Sequence, residues 1–92
     1  MTHVKTVSPE TEMHAPLRNL LRLRNLSPES FFSTEAVGSF NSKKYNPSRA
    51  RRGLNKAERL GYLERTERKR DNFTISIGYR IREDQLDEVR QF

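Results

Sequence analysis

Apolar residues recur along this chain at two spacings, and each spacing predicts a different element. Leu17, Leu20 and Leu21 share one face of a helix over residues 15–25, with Leu23 on its edge and Arg18, Asn19 and Arg22 elsewhere. Pro16 fits near the start of that helix. Ala36, Val37 and Phe40 give the inner stripe of a second helix over 34–40, capped by Ser33 and with Glu35 favourable in its first turn. Gly38 weakens this helix by about 1 kcal/mol relative to alanine, so it should be short and dependent on packing. Ala50, Gly53, Leu54, Ala57 and Leu60 line one side of a third helix, over 47–60. Ser48, Arg51, Arg52, Asn55 and Arg59 fall on its opposite side. The spacing then drops to two. Phe73, Ile75, Ile77, Tyr79 and Ile81 alternate with Thr74, Ser76, Gly78, Arg80 and Arg82, which predicts a half-buried strand with the first set in the core. Residues 62–67 supply its antiparallel partner, and 68–72 the loop between them.

Local punctuation supports these boundaries. A residue before proline is pushed out of the α region, which is the geometry a helix cap needs, so Asn46 caps and Pro47 takes the first helical position. Gly61 supplies the left-handed stop. Three of the five inner positions of this helix are small, so another helix backbone can approach closely. Asp71-Asn72 suits a turn between antiparallel strands, and Leu26-Ser27-Pro28-Glu29 is a second turn signal. Ser30-Phe31-Phe32 reads as a very short strand or an extended link, with both phenylalanines in the core or one of them facing a partner. Residues 41–45 form a polar loop from which Tyr45 either packs or reaches toward a partner. Residues 1–14 lack a regular apolar stripe and read as a mobile arm, with at most one turn at Ser8-Pro9-Glu10-Thr11-Glu12. Leu86, Val89 and Phe92, three apart, suggest a last helical turn or two in an 83–92 tail that is acidic on its outside.

Composition narrows the class. The 92 residues leave room for one domain with a small core. Apolar and charged residues each make up 33%, which fits a polar globular domain. Without cysteine there is no disulfide and no thiolate metal site, and the two histidines, His3 and His14, both lie in the N-terminal segment. No run approaches the roughly 18 apolar residues of a membrane span, and the start lacks the apolar core of a secretion signal, so the expected location is cytoplasmic. The net charge is +6, and its placement matters more than its size. Residues 43–70 carry eleven Lys/Arg against three Glu, a net of +8, while the rest carry seven against nine, a net of −2. A localised basic surface is the electrostatic footprint of nucleic-acid binding.

The predicted order is helix, short strand, helix, loop, basic helix, strand, charged loop, strand. It resembles the winged-helix family of helix-turn-helix domains over about residues 15–82. The stretch Arg51-Arg52-Gly53-Leu54-Asn55-Lys56-Ala57-Glu58-Arg59-Leu60-Gly61-Tyr62-Leu63-Glu64-Arg65 is similar to that family's recognition helix, leucine–glycine–(aromatic or aliphatic)–leucine link and charged strand. Phe32-Ser33-Thr34-Glu35-Ala36-Val37 is similar to the entry of its second helix. Two features depart from the pattern: a long loop before the third helix, and Gly38 in the second. The implied fold is α+β: three helices, a two- or three-stranded antiparallel wing and a short C-terminal helical segment.

The resemblance implies that the third helix enters a DNA major groove. Arg51, Arg52 and Asn55 are then the candidates for base edges, because arginine pairs with guanine through two donors and asparagine can pair twice with adenine. Ser48 and Arg59, at the ends of that face, meet phosphates, and Lys43 and Lys44 approach the backbone from the preceding loop. Arg68-Lys69-Arg70 forms a wing along the backbone or in the minor groove. The expected function is sequence-specific binding of double-stranded DNA, by a small transcriptional regulator or a mobile-element DNA-binding factor. The alternative is a protein-interaction module of the same fold docking an acidic partner. A homodimer through the chain ends is compatible with either. No cofactor, metal or small-molecule ligand is called for. No histidine is paired with a nucleophile and no glycine-rich phosphate loop occurs, so an enzyme is not expected.

Overall fold

A computed structural model of the chain describes residues 9–40 and 46–92. The elements run α1 (Pro9–Leu26), β1 (Phe32–Ser33), α2 (Thr34–Ser39), α3 (Pro47–Arg59), β2 (Leu63–Arg70) and β3 (Phe73–Ile81), closed by a 3-10 turn (Glu83–Gln85) and α4 (Leu86–Val89). The strands form one open antiparallel sheet in the order β1-β3-β2. Three helices followed by this sheet and a short C-terminal helix make an α+β winged-helix-turn-helix topology. No helix of the described residues is long and apolar enough to cross a membrane.

The boundaries of α3 follow from its sequence. Asn46 is extended, and its Oδ1 accepts a hydrogen bond from the Arg49 amide at 3.1 Å. At the other end Gly61 takes φ 87°. The Tyr62 amide donates back to the Ala57 carbonyl at 2.9 Å, and the Gly61 amide to the Glu58 carbonyl at 3.0 Å. This reciprocal pair satisfies carbonyls that the helix end would leave bare. Ser33 caps α2 in the same manner, accepting from the Ala36 amide at 3.0 Å. The far end of α2 is held by α1, where Asn19 Nδ2 donates to the Val37 carbonyl at 2.8 Å.

One core joins every layer: Met13, Leu17 and Leu20 from α1, Val37 from α2, Leu54 and Ala57 from α3, Leu63, Tyr79 and Ile81 from the sheet, and Val89 from α4. The small inner face of α3 is used for close approach. A Cβ added to Gly53 would lie 2.4 Å from the Glu12 carbonyl oxygen and 2.8 Å from Pro16 Cγ. Pro16 has no N–H, so the Glu12 carbonyl, four residues earlier, lacks its usual helical donor. Gly53 closes onto that oxygen with only a Cα hydrogen between them.

The C-terminal segment folds back on α1. Val89 is fully buried, the Arg18 guanidinium donates to the Phe92 carbonyl at 2.9 Å, and Arg24 grips both carboxylate oxygens of Glu83.

The structure departs from the sequence expectations in four places. α1 begins at Pro9, not at residue 15, so Pro16 lies inside the helix. Met13 extends the Leu17/Leu20 stripe by one turn, and its burial supports those added turns. Residues 1–8 of the expected arm lie outside the described residues, as does the loop 41–45 with Tyr45. Leu60, expected inside, is 60% exposed because it is the C-cap residue, where the chain already turns away from the core. Phe31 lies on the outer side of the sheet beneath the Arg80 guanidinium, 4.2 Å above its ring, while Phe32 packs inward opposite Tyr79. The largest difference is at the hairpin tip. β2 runs on to Arg70, so the loop shrinks to Asp71 and Asn72, both at positive φ (50° and 70°), the two-residue turn whose twist matches antiparallel strands. Phe73 and Ile75, expected in the core, are 75% and 58% exposed.

Candidate nucleic-acid interface

The outer face of α3 is as basic in space as it is on paper. Ser48, Arg51, Arg52 and Arg59 are all exposed, on the side away from Ala50, Gly53, Leu54 and Ala57, and Arg49 is exposed on the flank. Among the described residues none of these four arginines forms an ion pair. Cations elsewhere do: Arg24 with Glu83, Lys56 with Glu12, Arg80 with Glu64, Arg82 with Asp84 and Arg90 with Asp87. The Lys56 ammonium lies 3.3 Å from Glu12 Oε2 but off the angle of a hydrogen bond, so that shielded oxygen is paired by charge alone. Lys56 is thus drawn to α1, while Arg51, Arg52 and Arg59 stay unpaired on the outer face. Arg59 lies in the last turn, where a cation also complements the helix dipole. Lys43 and Lys44 lie outside the described residues.

Asn55 occupies a different position from its neighbours. It is half-buried at the seam between α3 and the sheet, and its Oδ1 accepts a hydrogen bond from the Tyr79 hydroxyl at 3.0 Å. Burial raises the Tyr79 pKa above its ordinary value, opposed by the Arg65 and Arg51 guanidiniums nearby. Tyr79 therefore keeps its proton and remains a donor. Arg65 and Arg51 pull that pKa down and Glu58 pushes it up, so charges from both α3 and β2 act on this phenol.

Cross-strand partners share a face. Arg65 and Glu67, opposite Tyr79 and Ile77, lie on the helix side of the sheet. Glu67 binds Arg65 and also lies 3.6 Å from Lys69. That hydrogen bond raises the Arg65 pKa further, so its charge is permanent. Arg68 and Arg70 are exposed and unpaired among the described residues. The structure thus gathers Arg51, Arg52 and Arg59 on one helix face, moves Asn55 to its inner margin, and sets Arg68 and Arg70 far out on the hairpin. Tyr79, Arg65 and Glu67 are the additions. In the alternation Tyr79 counts only as a core residue, and only the strand register brings it to Asn55.

Among the described residues no group of three or more His, Cys, Asp or Glu comes together to hold a metal. A shallow cleft of about 330 Å³ opens elsewhere, lined by Met13, His14, Leu60, Tyr62, Glu88 and Phe92. No family model matches this chain, and no match to it is found among curated proteins or solved structures.

Proposed function

We propose that this chain binds double-stranded DNA through α3 and the hairpin, as a small transcriptional regulator or the DNA-binding factor of a mobile element, without catalysis. The observation that carries this reading is the segregation of unpaired cations. Arg49, Arg51, Arg52 and Arg59 have no carboxylate partner among the described residues, although carboxylates neutralise five cations elsewhere and Glu67 pairs two on the wing. They stand on the exposed side of a helix whose other side is packed against α1. Such a face fits a major groove lined by phosphates.

Within it, Arg51 and Arg52 read base edges. Asn55 arrives with one oxygen lone pair already committed to Tyr79, so it presents amide donors to base acceptors. Ser48, Arg49 and Arg59 meet phosphates at the two ends of the helix. Arg68, Lys69 and Arg70 follow the backbone from the wing. Selection from random duplexes tests the division of roles. Arg51→Ala should change the selected sequence, whereas Lys69→Ala should weaken all sequences alike and leave the preference intact. Identical effects of the two changes would remove the division.

A further inference from the structure

We propose that Phe73 is a wedge that inserts between base pairs from the minor groove when the hairpin tip engages DNA, unstacking one step. The inference rests on the DNA-binding reading above and adds a distinct physical act to it.

β2 and β3 pair regularly from Leu63↔Ile81 to Arg68↔Ser76, and then Lys69 pairs with Thr74 and Arg70 with Phe73. β3 therefore carries one extra residue, Ile75, between Thr74 and Ser76. Such a bulge twists the strand and re-aims the side chains beyond it. Past it, Phe73 no longer shares the side of Ile77, Tyr79 and Ile81. Placed opposite Arg70, it falls on the side that β2's alternation assigns to Arg68 and Arg70. A one-residue slip moves a side chain from the core face to the other.

The setting of the ring is unusual for a phenylalanine. It adjoins the two-residue turn, it is 75% exposed, and it stands about 24 Å along the hairpin from the buried Leu63–Ile81 pair. Among the described residues it lies outside the buried core, so its ring adds nothing to that core. Three consecutive cations, Arg68, Lys69 and Arg70, accompany it. A second copy docked tip to tip would bring that cluster against its own like. A polyanion meets the same cluster favourably, and its narrow groove admits a two-residue turn with a ring at its shoulder. An apolar side chain held beside backbone-binding cations is the combination that unstacks a step.

Unstacking unwinds the duplex, and unwinding is readable without knowing the preferred site. A relaxed plasmid, closed by a topoisomerase in the presence of the full chain, should show a lowered linking number. Phe73→Ala should bind the same plasmid within about tenfold, since the cations remain, yet leave the linking number unchanged at saturation. Phe73→Leu should retain much of the unwinding, and Arg70→Ala should weaken binding while unwinding at saturation persists. If the wild-type chain binds the plasmid without unwinding it, or Phe73→Ala unwinds it equally, the wedge is refuted and the DNA reading stands. If the chain fails to bind DNA even at low salt, the DNA reading itself falls. Sedimentation of the free proteins completes the test: a dimer lost in Phe73→Ala would make the ring a contact between copies and overturn the proposal.

Discussion

Gly53 and Tyr79 carry more of this fold than their positions in the sequence suggest. At Gly53, alanine has a better helix propensity by about 1 kcal/mol. Its Cβ would nonetheless meet a backbone oxygen at 2.4 Å, and backbone cannot swing aside as a flexible side chain does. Overpacking of this kind costs about 1–3 kcal/mol, so the clash should win. Urea denaturation of Gly53→Ala should show a lower midpoint, and an unchanged or higher one would mean that α1 and α3 do not pack this closely. At Tyr79, burial lifts the folded pKa above the unfolded value near 10. The folded state then holds the phenolic proton more tightly. Its contribution to stability is complete below about pH 10 and is lost as pH rises through the folded pKa. Tyr79→Phe should cost about 1 kcal/mol at neutral pH through the lost bond to Asn55, and should decline less steeply above pH 10. Parallel alkaline profiles for the two proteins would contradict this account.

At the scale of elements, legibility follows the range of the forces involved. The start of α3 is readable to the residue and its end to within one, because its signals are local: an Asn-Pro cap, a glycine stop and a small inner face. The start of α1 is misplaced when Pro16 is taken as the opening of a helix. In the fold it lies inside one, and the Glu12 carbonyl left without its helical donor is closed over by a glycine 37 positions later in the chain than Pro16. The alternation of 73–81 correctly identifies a strand but not what covers it. Helices reach only the root of the hairpin, and the bulge at Ile75 then breaks the alternation itself. The amide of Asn55 looks free in the sequence because its partner, Tyr79, comes from another element. The wing also carries a restraint on its own charge. Glu67 pairs with Arg65 and Lys69, so Glu67→Gln should free two cations and remove one repulsive charge. Duplex affinity should rise several-fold, and the salt slope should steepen by about one to two. Thermal stability should barely change, because exposed ion pairs contribute about 0–1 kcal/mol. Weaker binding by this variant would make Glu67 a positioning residue for Arg65.

Across the whole molecule, the paired and unpaired charges divide the surface. Carboxylates close the tail against α1 through Glu83 and α1 against α3 through Glu12, leaving cations bare along α3 and at the hairpin tip. That asymmetry is the basis for the DNA-binding reading, and salt tests it most directly. Fluorescence anisotropy of a labelled mixed-sequence duplex, titrated at 50 and 200 mM salt with the wild-type chain and with Arg51→Ala/Arg52→Ala, is the decisive measurement. With roughly six phosphates neutralised, affinity should fall by about a thousandfold between the two salt concentrations. The double variant should bind more weakly at low salt, with a shallower salt dependence. Absence of binding at 50 mM, or binding that is indifferent both to salt and to the loss of Arg51 and Arg52, would contradict the assignment of α3 as a DNA-binding face.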